Sequence, residues 1–134
     1  MIADSKFKIT SIIRQMLIDD EILRNYISVT VDGEIEYKIY PIVAPEGTAG
    51  DFIVYYREQY SKKYTKMGVY EQSCLVALAV VSDDYDSAQN IADRINAILD
   101  GKHPDYDIQY IQLEDSTEHF EEGKYMQILL FNVK

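Results

Sequence analysis

The sequence predicts an α+β domain, a mainly antiparallel sheet of four to six strands with two amphipathic helices packed on one face. Three observations carry that expectation. Ile9, Ile12, Ile13, Met16 and Leu17 recur at three- and four-residue steps and share one helical stripe. Tyr85, Ala88, Ile91, Ala92, Ile95, Ile98 and Leu99 do the same. At least four other stretches alternate or run apolar in the manner of strands, and stripes and strand faces must cover one another. With 134 residues and 47% hydrophobic content, the chain reads as one domain, 1–134, with a core of its own.

The first helix has Asp4 or Ser5 available as a cap, and Asp19-Asp20 ends or bends it before a further turn over 21–26. Asp32-Gly33 between β-formers signals a hairpin with a tight primed turn. Its second strand is expected to run through Tyr37, Ile39 and Tyr40 as far as Pro41. Residues 41–50, bounded by prolines and glycines, form the one true loop. Gly47-Thr48-Ala49-Gly50 within it lacks the following lysine and the strand-to-helix setting of a phosphate cradle.

Residues 51–60 alternate as a strand, with Phe52, Val54 and Tyr56 on one face and Ile53 and Tyr55 on the other. Residues 69–81 form a long strand that is apolar on both faces from Cys74 onward, as expected of a central strand covered on each side. Between them, Tyr60-Ser61-Lys62-Lys63-Tyr64-Thr65-Lys66 mixes basic and aromatic side chains and reads as a solvated hairpin end. The main helix follows, capped by Asp83 or Asp84, stopped by Gly101 and kept from resuming by Pro104. Residues 106–113 read as a strand whose alternation slips at Tyr110-Ile111, where a bulge is expected. Residues 114–122 are polar and acidic, Gly123 is a turn residue, and 125–133 close the chain as a strong strand.

Composition limits the chemistry. A formal charge of −10 repels nucleic acid and anionic lipid unless basic residues are segregated. Twelve tyrosines without a tryptophan suit sheets and wet interfaces, because tyrosine joins a large apolar ring to a polar tip. The single cysteine, Cys74, lies in an apolar strand and reads as a small buried hydrophobe. No apolar run is long enough to span a bilayer, and the first residues lack a secretory signal's pattern, so the chain is expected to stay in the compartment that makes it.

His103 and His119 do not stand at the helical spacing of a zinc site. The acidic groups at 82–84 and 105–107 lack the ligand count of a calcium loop. No nucleophile elbow, Walker loop or dinucleotide fingerprint is present. The chain therefore reads as a structural or interaction protein without catalytic residues, cofactor or metal.

The order of elements carries a resemblance. An amphipathic helix precedes a strand ending Ile39-Tyr40-Pro41, then a loop, then Phe52-Ile53-Val54-Tyr55-Tyr56. A long strand then runs into Ser82-x-x-Tyr85-x-x-Ala88-x-x-Ile91-Ala92-Asp93-x-Ile95, and two strands close the chain. From about Ile9 to Val133 this resembles the tail-completion (tail-terminator, head–tail joining) proteins of long-tailed bacteriophages and prophages. Asp51 stands where that family often has proline.

The resemblance implies a ring, commonly a hexamer, that caps the tail tube, meets the head connector and lets DNA pass without specific binding. It implies assembly in the bacterial cytoplasm, a place in the virion tail or neck, no membrane partner and no cofactor. The expected contact surface between subunits comprises Tyr37, Tyr40, Pro41, Tyr55, Tyr56, Tyr60, Tyr64 and Tyr70. The expected acidic bore comprises Glu114, Asp115, Glu118, Glu121 and Glu122. Two other readings stay open: a small ligand-binding or enzymatic α+β domain with a site near 41–51, and a tyrosine-rich adaptor for one protein.

Overall fold

The computed structural model describes residues 6–134, without the side chains of 69–71. In chain order the elements are α1 (Ile9–Ile18), α2 (Glu21–Ile27), β1 (Ser28–Val31), β2 (Glu34–Tyr37), β3 (Ile39–Pro41), β4 (Phe52–Thr65) and β5 (Gly68–Ser82). These are followed by α3 (Tyr85–Leu99), β6 (Gly101–His103), a single 3-10 turn (Pro104–Tyr106), β7 (Ile108–Glu121) and β8 (Lys124–Val133). Six strands form one sheet in the order β3-β4-β5-β8-β7-β6, and β1 and β2 form a separate hairpin. Every pairing is antiparallel except β3 with β4, so the sheet is mixed, though mainly antiparallel as the sequence predicts.

The core lies between one face of this sheet and the three helices. Cys74, Val76, Leu78 and Val80 of β5, with Leu129, Phe131 and Val133 of β8, meet Ile91, Ile95 and Leu99 of α3 and Ile13 and Leu17 of α1. All eight residues expected at the centre, Ile91, Ile95, Leu99, Val76, Leu78, Val80, Leu129 and Phe131, are buried. Cys74 is fully enclosed, and burial pushes its thiol pKa up, which suits a packing residue and not a nucleophile.

Asp84 caps α3 by accepting from the Ser87 N–H at 3.0 Å, while Ser82 Oγ donates to Asp51 at 2.5 Å and accepts from the Asp84 N–H. Asp20 caps α2 through the Leu23 N–H at 2.9 Å. The same carboxylate receives a two-pronged bond from Arg94, at 2.9 and 2.5 Å, which ties the α1–α2 junction to α3. The Asp32-Gly33 turn has φ of 52° and 82°, as the expected primed turn requires.

Four local expectations need correction, and one is met with an addition. Lys8 is the cap residue of α1 and makes no side-chain cap bond, and Asp4 and Ser5 lie outside the described residues. The strand through Tyr37 to Pro41 breaks at Lys38, whose N–H reaches Ile27 and whose carbonyl receives Ile53, so β2 and β3 belong to different sheets. Gly101 does have positive φ, 113°, but it opens β6, and α3 exits through an extended Asp100. β7 does slip beside Tyr110-Ile111 as expected, where the Gln109 and Tyr110 N–H groups share the Lys134 carbonyl and the pairing with β6 shifts, and it carries a second bulge at Glu114, between Leu113 and Asp115. Finally, residues 114–121 are strand, because β8 supplies an apolar partner in register and the ladder outweighs their polarity.

Candidate assembly surfaces

Strand alternation leaves one face of the sheet without a helix. Tyr40 of β3, Phe52, Val54 and Tyr56 of β4, Ala77 and Ala79 of β5, and Ile128 and Leu130 of β8 stand on it. A shallow groove lined by Tyr56, Glu58, Ala77, Asp115, Thr117, Ile128 and Leu130 crosses this face from β4 to β7. The groove collects residues from four successive strands, β4, β5, β8 and β7, on the side of the sheet away from the helices.

The expected contact tyrosines are divided by this architecture. Tyr56 stands on the open face, and Tyr40 stands beside Phe52 with ring centres 6.5 Å apart. Tyr55, one residue on, points into the core and is 6% exposed, so it offers a neighbour no area. Tyr37 is half-buried against the core. Tyr60 is held by its own chain. Its hydroxyl accepts from the Lys6 N–H and donates to Gln72, its ring meets Phe7 edge-on at 5.1 Å, and the Arg57 guanidinium lies 4.7 Å from the Phe7 ring centre. Tyr64 projects from the long β4–β5 hairpin and is 67% exposed, beside Met67 at the turn, which is 96% exposed. The side chain of Tyr70 lies outside the described set.

The acidic set is divided too. The bulge brings Glu114 and Asp115 onto the open face, where Glu114 accepts from Asn132 at 3.1 Å. Glu118 faces the other way and accepts from Tyr85 at 2.7 Å and Gln127 at 2.6 Å. Those two bonds hold its carboxyl below the usual range, Gln127 first, and the same bond raises the Tyr85 hydroxyl. Glu121 pairs across from Lys124, and Glu122, at φ 51°, turns the β7–β8 hairpin with Gly123.

One feature escaped the sequence reading. Ile42, just after Pro41, has φ of 67°, and the Val43 N–H bonds to the Pro41 carbonyl at 2.7 Å. That is a γ-turn of the strained kind, centred on a β-branched residue for which positive φ is a genuine outlier. Ile42 and Val43 are 76% and 72% exposed, and Ile42 borders a second shallow depression with Phe7, Tyr56 and Arg57. Only the placing of Ile42-Val43 in a proline-bounded loop hinted at an exposed apolar tip. The local strain has no signature in the sequence.

Among the described residues, no three His, Cys, Asp or Glu side chains gather closely enough to hold a metal, and no helix is long and apolar enough to cross a membrane. No protein-family model and no curated protein matches the chain. A solved structure does. The fold overlays a chain in the virion of a native gene transfer agent particle with a TM-score of 0.68, across 90% of this chain and 89% of that one, at 17% sequence identity. At that identity the likeness establishes the fold.

Proposed function

We propose that this chain is a structural subunit of a phage-like particle, a ring that caps the tail tube and joins it to the head connector. The observation that carries the reading is the nearly end-to-end overlap of its fold with a chain in a virion. The element order quoted above, with Ile39-Tyr40-Pro41 and the Ser82-to-Ile95 pattern, points to the tail-completion proteins, and through them to six copies. An open, half-apolar sheet face and a strained apolar loop tip suit a subunit that buries surface against copies of itself and against a tube protein.

In such a ring the open sheet face is turned toward the channel and the helices stand outside. Glu114, Asp115 and Glu121 are then the carboxylates placed to keep DNA from adhering, because a negative wall repels phosphate over a screening length of about 8–10 Å. Glu118, engaged by Tyr85 and Gln127, serves the fold of the β7–β8 hairpin first.

The reading is tested by deleting the gene from the phage or prophage that carries it and examining particles by electron microscopy. Filled heads and separate tails, restored to joined particles by the gene in trans, are expected. Normal joined particles in the deletion would refute it.

A further inference from the structure

We infer that subunits of the ring meet edge to edge, the open edge of β4 in one copy pairing antiparallel with the open edge of β7 in the next. This rests on the ring reading and names the contact that would build it.

The two edges are open over matching lengths. β3 pairs with β4 only from Ile53 to Tyr55, and one further bond, from the Ile42 N–H to the Tyr55 carbonyl, ends that ladder. On the other side, β6 pairs with β7 only at Ile108 and Ile111. Among the described residues, no backbone hydrogen bond reaches the outer edge of β4 over 57–65 or of β7 over 112–121. An unpaired edge of that length is a template for another strand.

Their directions agree with a rotational assembly. β4 runs against β5, β5 against β8 and β8 against β7, so β4 and β7 point in opposite senses. A copy placed alongside by rotation therefore brings its β4 antiparallel to its neighbour's β7. The contact joins two different surfaces, the kind that closes into a ring when the rotation permits.

Charge distinguishes a contact from a guard. The β7 edge carries Glu114, Asp115, Glu118 and Glu121 and no lysine or arginine. The β4 edge carries Arg57, Lys62 and Lys63 against one carboxylate, Glu58, and Lys66 follows at the turn. Natural sheets do blunt their edges with charges and bulges, and bulges stand here at both. A guard, however, places like charges on edges that might meet. These edges carry opposite signs, which favours the heterologous pairing and opposes each edge pairing with its own kind.

The register supplies an independent check. Ser61 of β4 lies in the row of Ser73, whereas Ser116 of β7 lies across Leu129 in the row of Leu78. The centres of the two open edges are thus offset by about five residues, or roughly 17 Å along the strands. Four strands spaced about 4.8 Å apart span roughly 19 Å, so joining these edges tilts the strands by about 40° from the ring axis. Closed barrels tilt by about 35–45°. With the open face inward, the sheet of one subunit continues into the next.

The test uses exposed positions on each edge. One variant carries Lys62→Glu with Lys66→Glu, and the other carries Asp115→Lys with Glu121→Lys. Folding is checked by circular dichroism and assembly is read by sedimentation velocity. Each variant alone is expected to associate at least tenfold more weakly than the parent. An equimolar mixture should recover parent-like assembly, because each altered edge then meets its complement. Assembly of both variants at parental strength, or a mixture no better than its components, would overturn the edge pairing while leaving the ring standing. A parent that remains monomeric at its highest soluble concentration would overturn both.

Discussion

Asp20 is the residue at which one substitution should report on two separable interactions. Its carboxylate caps α2 through the Leu23 N–H and receives Arg94 from α3 in a two-pronged contact. Loss of a helix cap costs about 1 kcal/mol. The ion pair adds less than its geometry suggests, because the Arg94 side chain keeps 35% of its exposure and solvent screens it, which leaves about 0.5–1 kcal/mol. Asp20→Ala should therefore cost about 1.5–2 kcal/mol, read as a fall of about 1 M in the urea midpoint. Asp20→Asn keeps a good capping side chain and should cost only the pair.

The sign of the pH dependence follows from the same contact. The Arg94 bonds, opposed by partial burial and helped by the Leu23 N–H, hold the Asp20 carboxyl below its usual value of 3.8. A carboxyl lowered on folding stabilises the native state above its unfolded pKa. That stability is lost as pH falls through the lower folded value. The Asn variant should lose less stability than the parent on acidification below about pH 4. Equal urea midpoints for Asp20→Ala and Asp20→Asn at pH 7 would refute the cap, and identical acid limbs in parent and Asn variant would refute the pair.

Other outcomes follow from the same structure. Ile95→Ala should lower stability by about 2–5 kcal/mol in urea unfolding, since it opens a cavity under α3. Tyr55→Ala should cost about 3 kcal/mol or more while Tyr56→Ala leaves unfolding nearly unchanged and weakens association, a contrast measured by pairing denaturation with sedimentation. Ile42→Gly should leave the chain as stable or about 1 kcal/mol more stable, reversing the usual cost of glycine, because it relieves the γ-turn without removing buried area. Replacing Glu114, Asp115 and Glu121 by their amides in the parent phage should lower the yield of joined particles and, in those that form, change DNA retention or the rate of ejection, measured as the fraction of DNA released over time.

Where side-chain periodicity was decided by burial, the sequence was enough. The stripe of α3 and the alternation of Ile53 and Tyr55 against Phe52, Val54 and Tyr56 appear as their residues predict, whereas β5, apolar on both faces, is central in the sheet but covered by helices on one face only. Asp32-Gly33 announced its turn because only particular residues tolerate that backbone. The misses share one cause. Residues 114–121 look like a solvated turn on composition, and only the presence of β8 alongside makes them strand. Lys38 looks like mid-strand, and only bonds to Ile27 and Ile53 reveal the break. Of the surface residues, tyrosine content marked the region but could not tell Tyr55, in the core, from Tyr56, outside it, since apolar-and-polar tyrosine suits both.

The mass of the purified protein by light scattering across a concentration series tests the central claim most directly. A head-to-tail contact that closes predicts a mass that rises with concentration and then holds at one fixed multiple of the chain, with the transition moved to higher concentration by added salt. A mass that stays at one chain throughout, or that climbs without a plateau as an open filament would, contradicts the account.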